Sequence, residues 1–150
     1  MKRSIIYITE SPGQTKKLGE LLARTIAVGG AGKRARVLAL RGDLGAGKTN
    51  FTQGLAAGLG IGATVNSPTF AIMKKYPLKD GNGFKTFYHI DCYRLESAAD
   101  LAVLGVAEIL NNSENIIAIE WPEVVKEILP KDILKINFEV VAENNRRIIF

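Results

Sequence analysis

The chain is poor in the residues that brace extracellular folds or carry proteins into membranes. It has one cysteine, Cys92, so no intramolecular disulfide can form and a reducing compartment is favoured. Its one histidine, His89, has no second histidine or cysteine pair to join it, which argues against a metal site of that type. No apolar run approaches the roughly 18 residues of a membrane span. The apolar run Ile5 to Ile8, behind Lys2 and Arg3, is too short for a signal-peptide core. There is no Pro- or Ser-rich tract, no arginine-rich tail, no internal repeat and no linker. The expectation is a soluble, cytoplasmic protein.

What is present suits one domain spanning residues 1–150. A chain of that size buries roughly 68–70% of its unfolded surface, enough for a core without staples. The net charge of +5 is compatible with nucleic acid, with a polyanionic nucleotide, or with a merely soluble surface. Basic residues are spread along the chain, so charge alone does not choose among these.

Strands and helices alternate in the pattern of an α/β domain. Ser4 to Ile8 reads as a strand, and Ser11-Pro12 as an N-cap followed by proline at the first helical position. Leu18, Leu21, Leu22, Thr25 and Ile26 recur at helical spacing and predict the buried face of that helix. Arg36 to Leu40 is a buried strand, and "KTNFTQGLAAGLG" a helix ending near Gly58 and Gly60. Phe70 to Tyr76 and Phe84 to Asp91 predict a hairpin joined by "KDGNG". "SAADLAVLGVAEIL" predicts one helix capped by Ser97. Asn115 to Glu120 is an apolar strand, "PEVVKEILP" a short helix, and Ile133 to Val141 with Arg147 to Phe150 a terminal hairpin.

The stretch "LALRGDLGAGKTNF", Leu38 to Phe51, carries the chemistry. Gly42, Gly47, Lys48 and Thr49 satisfy G-x-x-x-x-G-K-[ST], the loop that wraps nucleotide phosphates. It follows a buried strand and opens a helix, whose free N–H groups and positive dipole end favour an anion. Lys48 would reach the β- and γ-phosphates, and Thr49 would place its hydroxyl on Mg²⁺. A second Gly-Lys pair, Gly32-Lys33 in "GGAGKRA", fails the spacing, with Ala27 where the first glycine belongs and Ala35 where a hydroxyl is needed.

Such a loop requires a carboxylate for the metal and its water, at the end of an apolar strand. "FYHID" supplies Asp91 and "IIAIE" supplies Glu120. Either can bind the metal, directly or through water, while the other orients the attacking water. In "NSPTF", Thr69 is a candidate switch that senses the γ-phosphate or the metal. His89 reads as a strand residue satisfied by packing or a hydrogen bond, Cys92 as an inert thiol, and Trp121 as core packing.

"GDLGAGKT", "SPTF", "HIDCYRL" and "EWPE", in this order and spacing, resemble the TsaE (YjeE) family, the P-loop ATPases of tRNA threonylcarbamoyladenosine biosynthesis. The resemblance runs from "TKKLGELLA" to the terminal hairpin. It implies a three-layer P-loop NTPase fold with a central, mostly parallel sheet and a C-terminal hairpin. It implies ATP and Mg²⁺ as cofactors, a monomer or weak oligomer, and a TsaB–TsaD complex as partner. That complex modifies the adenosine beside the anticodon in tRNAs reading codons that start with A, and contact of this chain with tRNA is expected to be indirect. Carried over by position, the family's nucleotide loop is Gly42, Asp43, Leu44, Gly45, Ala46, Gly47, Lys48 and Thr49. Its metal ligands are Thr49 and Glu120, with Asp91 in the "HxDxYR" segment and Thr69 in the Ser-Pro-Thr. Ser11, Thr15 and Arg146 fall where family members approach the nucleotide, and Trp121 follows the glutamate as it does there. Asn50 stands where many members carry a second threonine, and Asn145 precedes Arg146 where they commonly carry glycine.

Hydrolysis is expected to be weak alone, because such a site without a catalytic arginine is slow, and supplying one in trans is worth about 10³–10⁵ in rate. Arg94 is the only arginine in "HIDCYRL". Other readings are a small-molecule kinase, for which the chain has little length to spare for a lid, and a nucleotide-gated adaptor that needs no hydrolysis. A GTPase is disfavoured because N-K-x-D is absent.

Overall fold

The computed structural model describes residues 3–68 and 70–150. Seven strands form one sheet: β1 (Ile6–Thr9), β2 (Arg36–Arg41), β3 (Met73–Gly81), β4 (Phe84–Asp91), β5 (Asn115–Glu120), β6 (Leu134–Val140) and β7 (Arg146–Ile149). Their order across the sheet is β1-β7-β6-β2-β5-β4-β3. The central pairs β6–β2, β2–β5 and β5–β4 are parallel, whereas β1–β7, β7–β6 and β4–β3 are antiparallel. The sheet is therefore mixed: parallel at its centre and antiparallel at both margins, where β3–β4 and β6–β7 are hairpins and β1 pairs with the last strand, β7. No described helix is long and apolar enough to cross a membrane.

Alternation along the strands sorts the core into two layers. Leu38 and Leu40 of β2, with Ile116 and Ala118 of β5, pack against Phe51, Leu55 and Ala23 of the helices on one face. Val37, Ile117 and Ile119 pack with Leu101, Val106 and Leu110 on the other. Ile117 and Ile119 are fully buried, each contributing about 1.5–3 kcal/mol by area.

Helix α1 (Pro12–Gly29) starts as its sequence directs, with the Ser11 hydroxyl accepting from Gln14 N–H (3.1 Å) and Pro12 just inside. Its most buried residues are Thr15, Gly19 and Ala23, whereas Leu21 and Thr25 are exposed, so the expected leucine-rich face is rotated. The cause is α2 (Lys48–Gly58). A Cβ at Gly19 would overlap the Phe51 carbonyl oxygen, and one at Gly54 would overlap that of Lys16, so the two helices touch backbone to backbone. Leu18, Leu22 and Ile26 flank this seam half-buried.

Three further expectations are corrected. Residues 98–111 form two helices, α3 (Ala98–Ala102) and α4 (Val106–Asn111), because Gly105 takes a left-handed φ of 76° between them. Asp100 accepts from the Ser97 N–H (3.3 Å) at the start of α3. The strand expected from Phe70 begins only at Met73, since the Ile72 N–H closes a turn onto the Pro68 carbonyl (2.6 Å). Pro122–Ile128 is a 3-10 segment interrupted at Val125, rather than a regular helix.

Candidate functional site

The parallel centre brings the C-terminal ends of β2, β4 and β5 to one edge, and the residues singled out from the sequence converge there. Asp91 and Glu120 are register partners on β4 and β5, and Glu120 pairs with Leu40 on β2. Their parity points both side chains to the α2 face. A cavity of about 240 Å³ opens between them and the loop that leads into α2. Leu44, Gly45, Gly47, Lys48 and Thr49 line it from the loop side, and Ser67, Asp91, Glu120 and Trp121 from the other.

Gly47 sits at a φ of 102°, which an L-residue adopts only under strain, and so turns the chain directly into α2. Nothing lies within 4 Å of a Cβ built on Gly45, so the loop's concave side is open to a ligand. Gly42 is a close approach: a Cβ there would stand 2.8 Å from the Phe138 carbonyl oxygen.

Lys48, only 5% exposed, donates to the Gly42 carbonyl and lies over the Trp121 ring, 4.0 Å from its centroid. Burial pulls its ammonium below the ordinary lysine range, and the carboxylates of Glu120, Asp91, Glu123 and Asp43 push the other way. Trp121 itself is held at φ 56°, an uncommon conformation for a bulky side chain, and its ring meets Tyr93 at 5.1 Å between centroids.

The two carboxylates are held differently. Glu120 Oε2 is hydrogen-bonded to His89 Nε2 at 2.8 Å, both side chains being buried. His89 Nδ1, by contrast, is buried without a hydrogen-bond partner among the described residues. Asp91 Oδ1 accepts from the Tyr93 N–H (2.9 Å), and Oδ2 from the Ser67 hydroxyl (3.1 Å). Ser67 thus ties the "NSPTF" segment to the acid, a contact that the quoted motif contains but whose pairing needs the fold. Thr69 lies outside the described residues.

Other predicted residues stand around the cavity rather than in it. Gly42, Asp43 and Ala46 face a shallower hollow on the other side of the loop. Thr15, bonded to Thr9 through their hydroxyls (2.7 Å), lies beneath Gly47, and Ser11 caps α1. Arg146 donates to the Gly45 carbonyl (3.0 Å) and to the carbonyls of Ala142, Glu143 and Asn145, bracing the loop from the C-terminal hairpin. Arg94 lies over Phe70, 4.3 Å from its ring centroid, and no arginine lines the cavity among the described residues. Cys92 is fully buried and its thiol is pushed up to about 12, chiefly by burial, in keeping with an inert thiol.

The donor set fits a phosphorylated ligand that brings a divalent cation with it. Open glycine backbone, a helix N-terminus and a lysine suit phosphate oxygens. A hydroxyl and two carboxylates suit a hard cation. Among the described residues no group of three or more His, Cys, Asp or Glu forms a metal cage on its own. The cation's remaining ligands would come from phosphate and water, as is usual for magnesium.

Residues 9–148 match the family described as "Threonylcarbamoyl adenosine biosynthesis protein TsaE". The chain is 39% identical to the tRNA threonylcarbamoyladenosine biosynthesis protein TsaE of Bacillus subtilis (strain 168), over 99% of this chain and 85% of that protein. It is 44% identical to the protein of the same name from Borreliella burgdorferi, over 71% of this chain and 75% of that one. A crystal structure of Bacillus subtilis YdiB superposes with a TM-score of 0.77 at 34% identity, covering all of this chain and 86% of that one. The chain belongs to the TsaE family.

Proposed function

We propose that this protein is a magnesium-dependent ATPase that supports a TsaB–TsaD complex in forming threonylcarbamoyladenosine beside the anticodon of tRNAs that read codons starting with A. The observation that carries the ATPase reading is the convergence of Lys48 and Thr49 on Asp91 and Glu120 across one cavity. The pathway reading rests on membership of the TsaE family.

Magnesium, when bound, would neutralise charge on the β- and γ-phosphoryl oxygens. The chain's own residues do the rest. The 42–49 loop seats the phosphates with backbone N–H groups, and Lys48 exchanges the Gly42 carbonyl for a phosphate oxygen. Thr49 and Glu120 would hold the cation, with His89 fixing the Glu120 carboxylate through Oε2. Asp91 orients the attacking water, and its bond to Ser67 links that water to the segment before Phe70. With Arg94 turned to Phe70 and Arg146 engaged by carbonyls, no described arginine lines the cavity. Hydrolysis is accordingly slow alone and rises when a partner supplies the missing charge.

The test is steady-state ATP turnover with and without the TsaB–TsaD pair. Turnover of tens per second by the isolated chain, or turnover indifferent to the pair, would sink this reading.

A further inference from the structure

A second hollow, of about 440 Å³, lies on the opposite face of the sheet, between the 3-10 segment and the start of β6. Its apolar lining includes buried Ala39 and Pro122 with half-buried Leu129, Pro130 and Ile133, and exposed Lys126, Lys131 and Lys135 also line it. The three lysines are exposed, and none forms an ion pair with a described residue. The other cation at the rim, Arg41, is answered by Glu123 at 2.9 Å. Glu123 is the one acidic residue in the lining and is engaged by Arg41, so the three lysines leave a net positive rim, and an anionic partner relieves their mutual repulsion.

The shape selects the kind of anion. A phosphate backbone would use the lysines but gain nothing from an apolar floor. A protein segment uses both, with an apolar side chain buried on the floor and carboxylates at the rim. The place also matters: Arg41 precedes Gly42 of the phosphate loop, and Glu123 follows Trp121 by two residues. A carboxylate reaching Arg41 would compete with Glu123 at the margin of the nucleotide site.

We propose that this hollow is a docking site for an acidic segment of a partner protein, which sets an apolar anchor on Leu129, Pro130 and Ile133. The inference rests on the reading that a partner complex uses this protein's ATP cycle, and its probe is therefore the TsaB–TsaD pair.

The experiment is a calorimetric titration of the full chain and of Lys126→Glu/Lys131→Glu/Lys135→Glu with that pair, in the presence of ATP and at two salt concentrations. Affinity is expected to fall by about ten-fold or more in the variant, with a shallower salt dependence than the parent shows. The neutralising variant Lys126→Ala/Lys131→Ala/Lys135→Ala should lose less, and keeps the test open if charge reversal impairs folding. Lys74→Glu/Lys75→Glu/Lys79→Glu, the same charge change on exposed lysines of β3, should bind as the parent does. ATP turnover without partner, measured in the same samples, should be equal in all four proteins. Parent-like affinity in both rim variants would overturn the proposal. So would loss of tRNA binding, rather than of binding to the pair, which would assign the lysines to nucleic acid. A parent chain that hydrolyses ATP yet does not bind the pair would overturn the partner reading, and the docking site with it.

Discussion

The loop before β2, residues 30–35, and the loop after it, residues 42–47, each carry a glycine followed by lysine: Gly32-Lys33 in one, Gly47-Lys48 at the end of the other. Lys33 is exposed, and a Cβ on Gly32 would meet nothing within 4 Å. Lys48 is buried between a carbonyl and an indole, and Gly47 is held left-handed above Thr15. The residue pair is the same, so composition does not separate the two loops. Position does: only the second loop leaves the C-terminal end of a central parallel strand, faces two carboxylates on neighbouring strands, and runs into a long helix.

The largest difference is expected at the lysines. Lys48→Ala should lower ATP turnover by about 100-fold or more, as loss of a charge-stabilising donor does, while Lys33→Ala leaves it unchanged. Equal effects in a steady-state assay would erase the distinction between the loops. Next comes the side chain that holds Glu120, for which the first loop has no counterpart. His89→Ala removes the hydrogen-bond partner that holds Glu120, and the magnesium concentration for half-maximal turnover should rise about ten-fold. A magnesium curve that does not move would show that His89 only packs.

Smaller still is the effect on the fold. Gly47→Ala forces a side chain into φ 102° and should cost about 1–2 kcal/mol, seen as a lower thermal midpoint. Gly32→Ala should stay within about 0.5 kcal/mol of the parent. If both midpoints coincide, the conformation of Gly47 is not a constraint. The smallest effect is a null. Cys92, in the strand exit next to Asp91, should resist iodoacetamide at pH 8 while folded and react once unfolded. Its thiol is held neutral up to about 12, against an ordinary value of 9.0, so it contributes stability below pH 9 that is lost as pH climbs from there toward 12. Rapid alkylation of the native protein would contradict its burial.

The phosphate loop was legible because its chemistry is local: eight consecutive residues and the helix that follows. The strand Asn115–Glu120 was legible to the residue, since six buried positions in a row leave a continuous apolar run ending in an acid. The seam between α1 and α2 was not. It is made by what Gly19 and Gly54 lack, and periodicity counts only the leucines that are present. The break at Gly105 was hidden for a related reason: a single glycine inside a helical pattern is usually tolerated. At the site, sequence identified both carboxylates but not their holders. His89 is two residues from Asp91 yet bonds Glu120, thirty-one positions away, and Ser67 reaches Asp91 across twenty-four. The first pairing exists only once β4 and β5 lie in register, and the second only once the segment before β3 reaches the end of β4.

Trp121 is the sole tryptophan of the chain, and its ring rests on the ammonium that a phosphate would draw away. The protein therefore contains its own optical gauge. Departure of Lys48 from the indole changes the electric field across the one strong fluorophore, so nucleotide arrival should be readable as a change in emission from unlabelled protein. Millisecond mixing would then time the filling of the site separately from the release of product, and a flat trace would mean that lysine and indole stay together throughout.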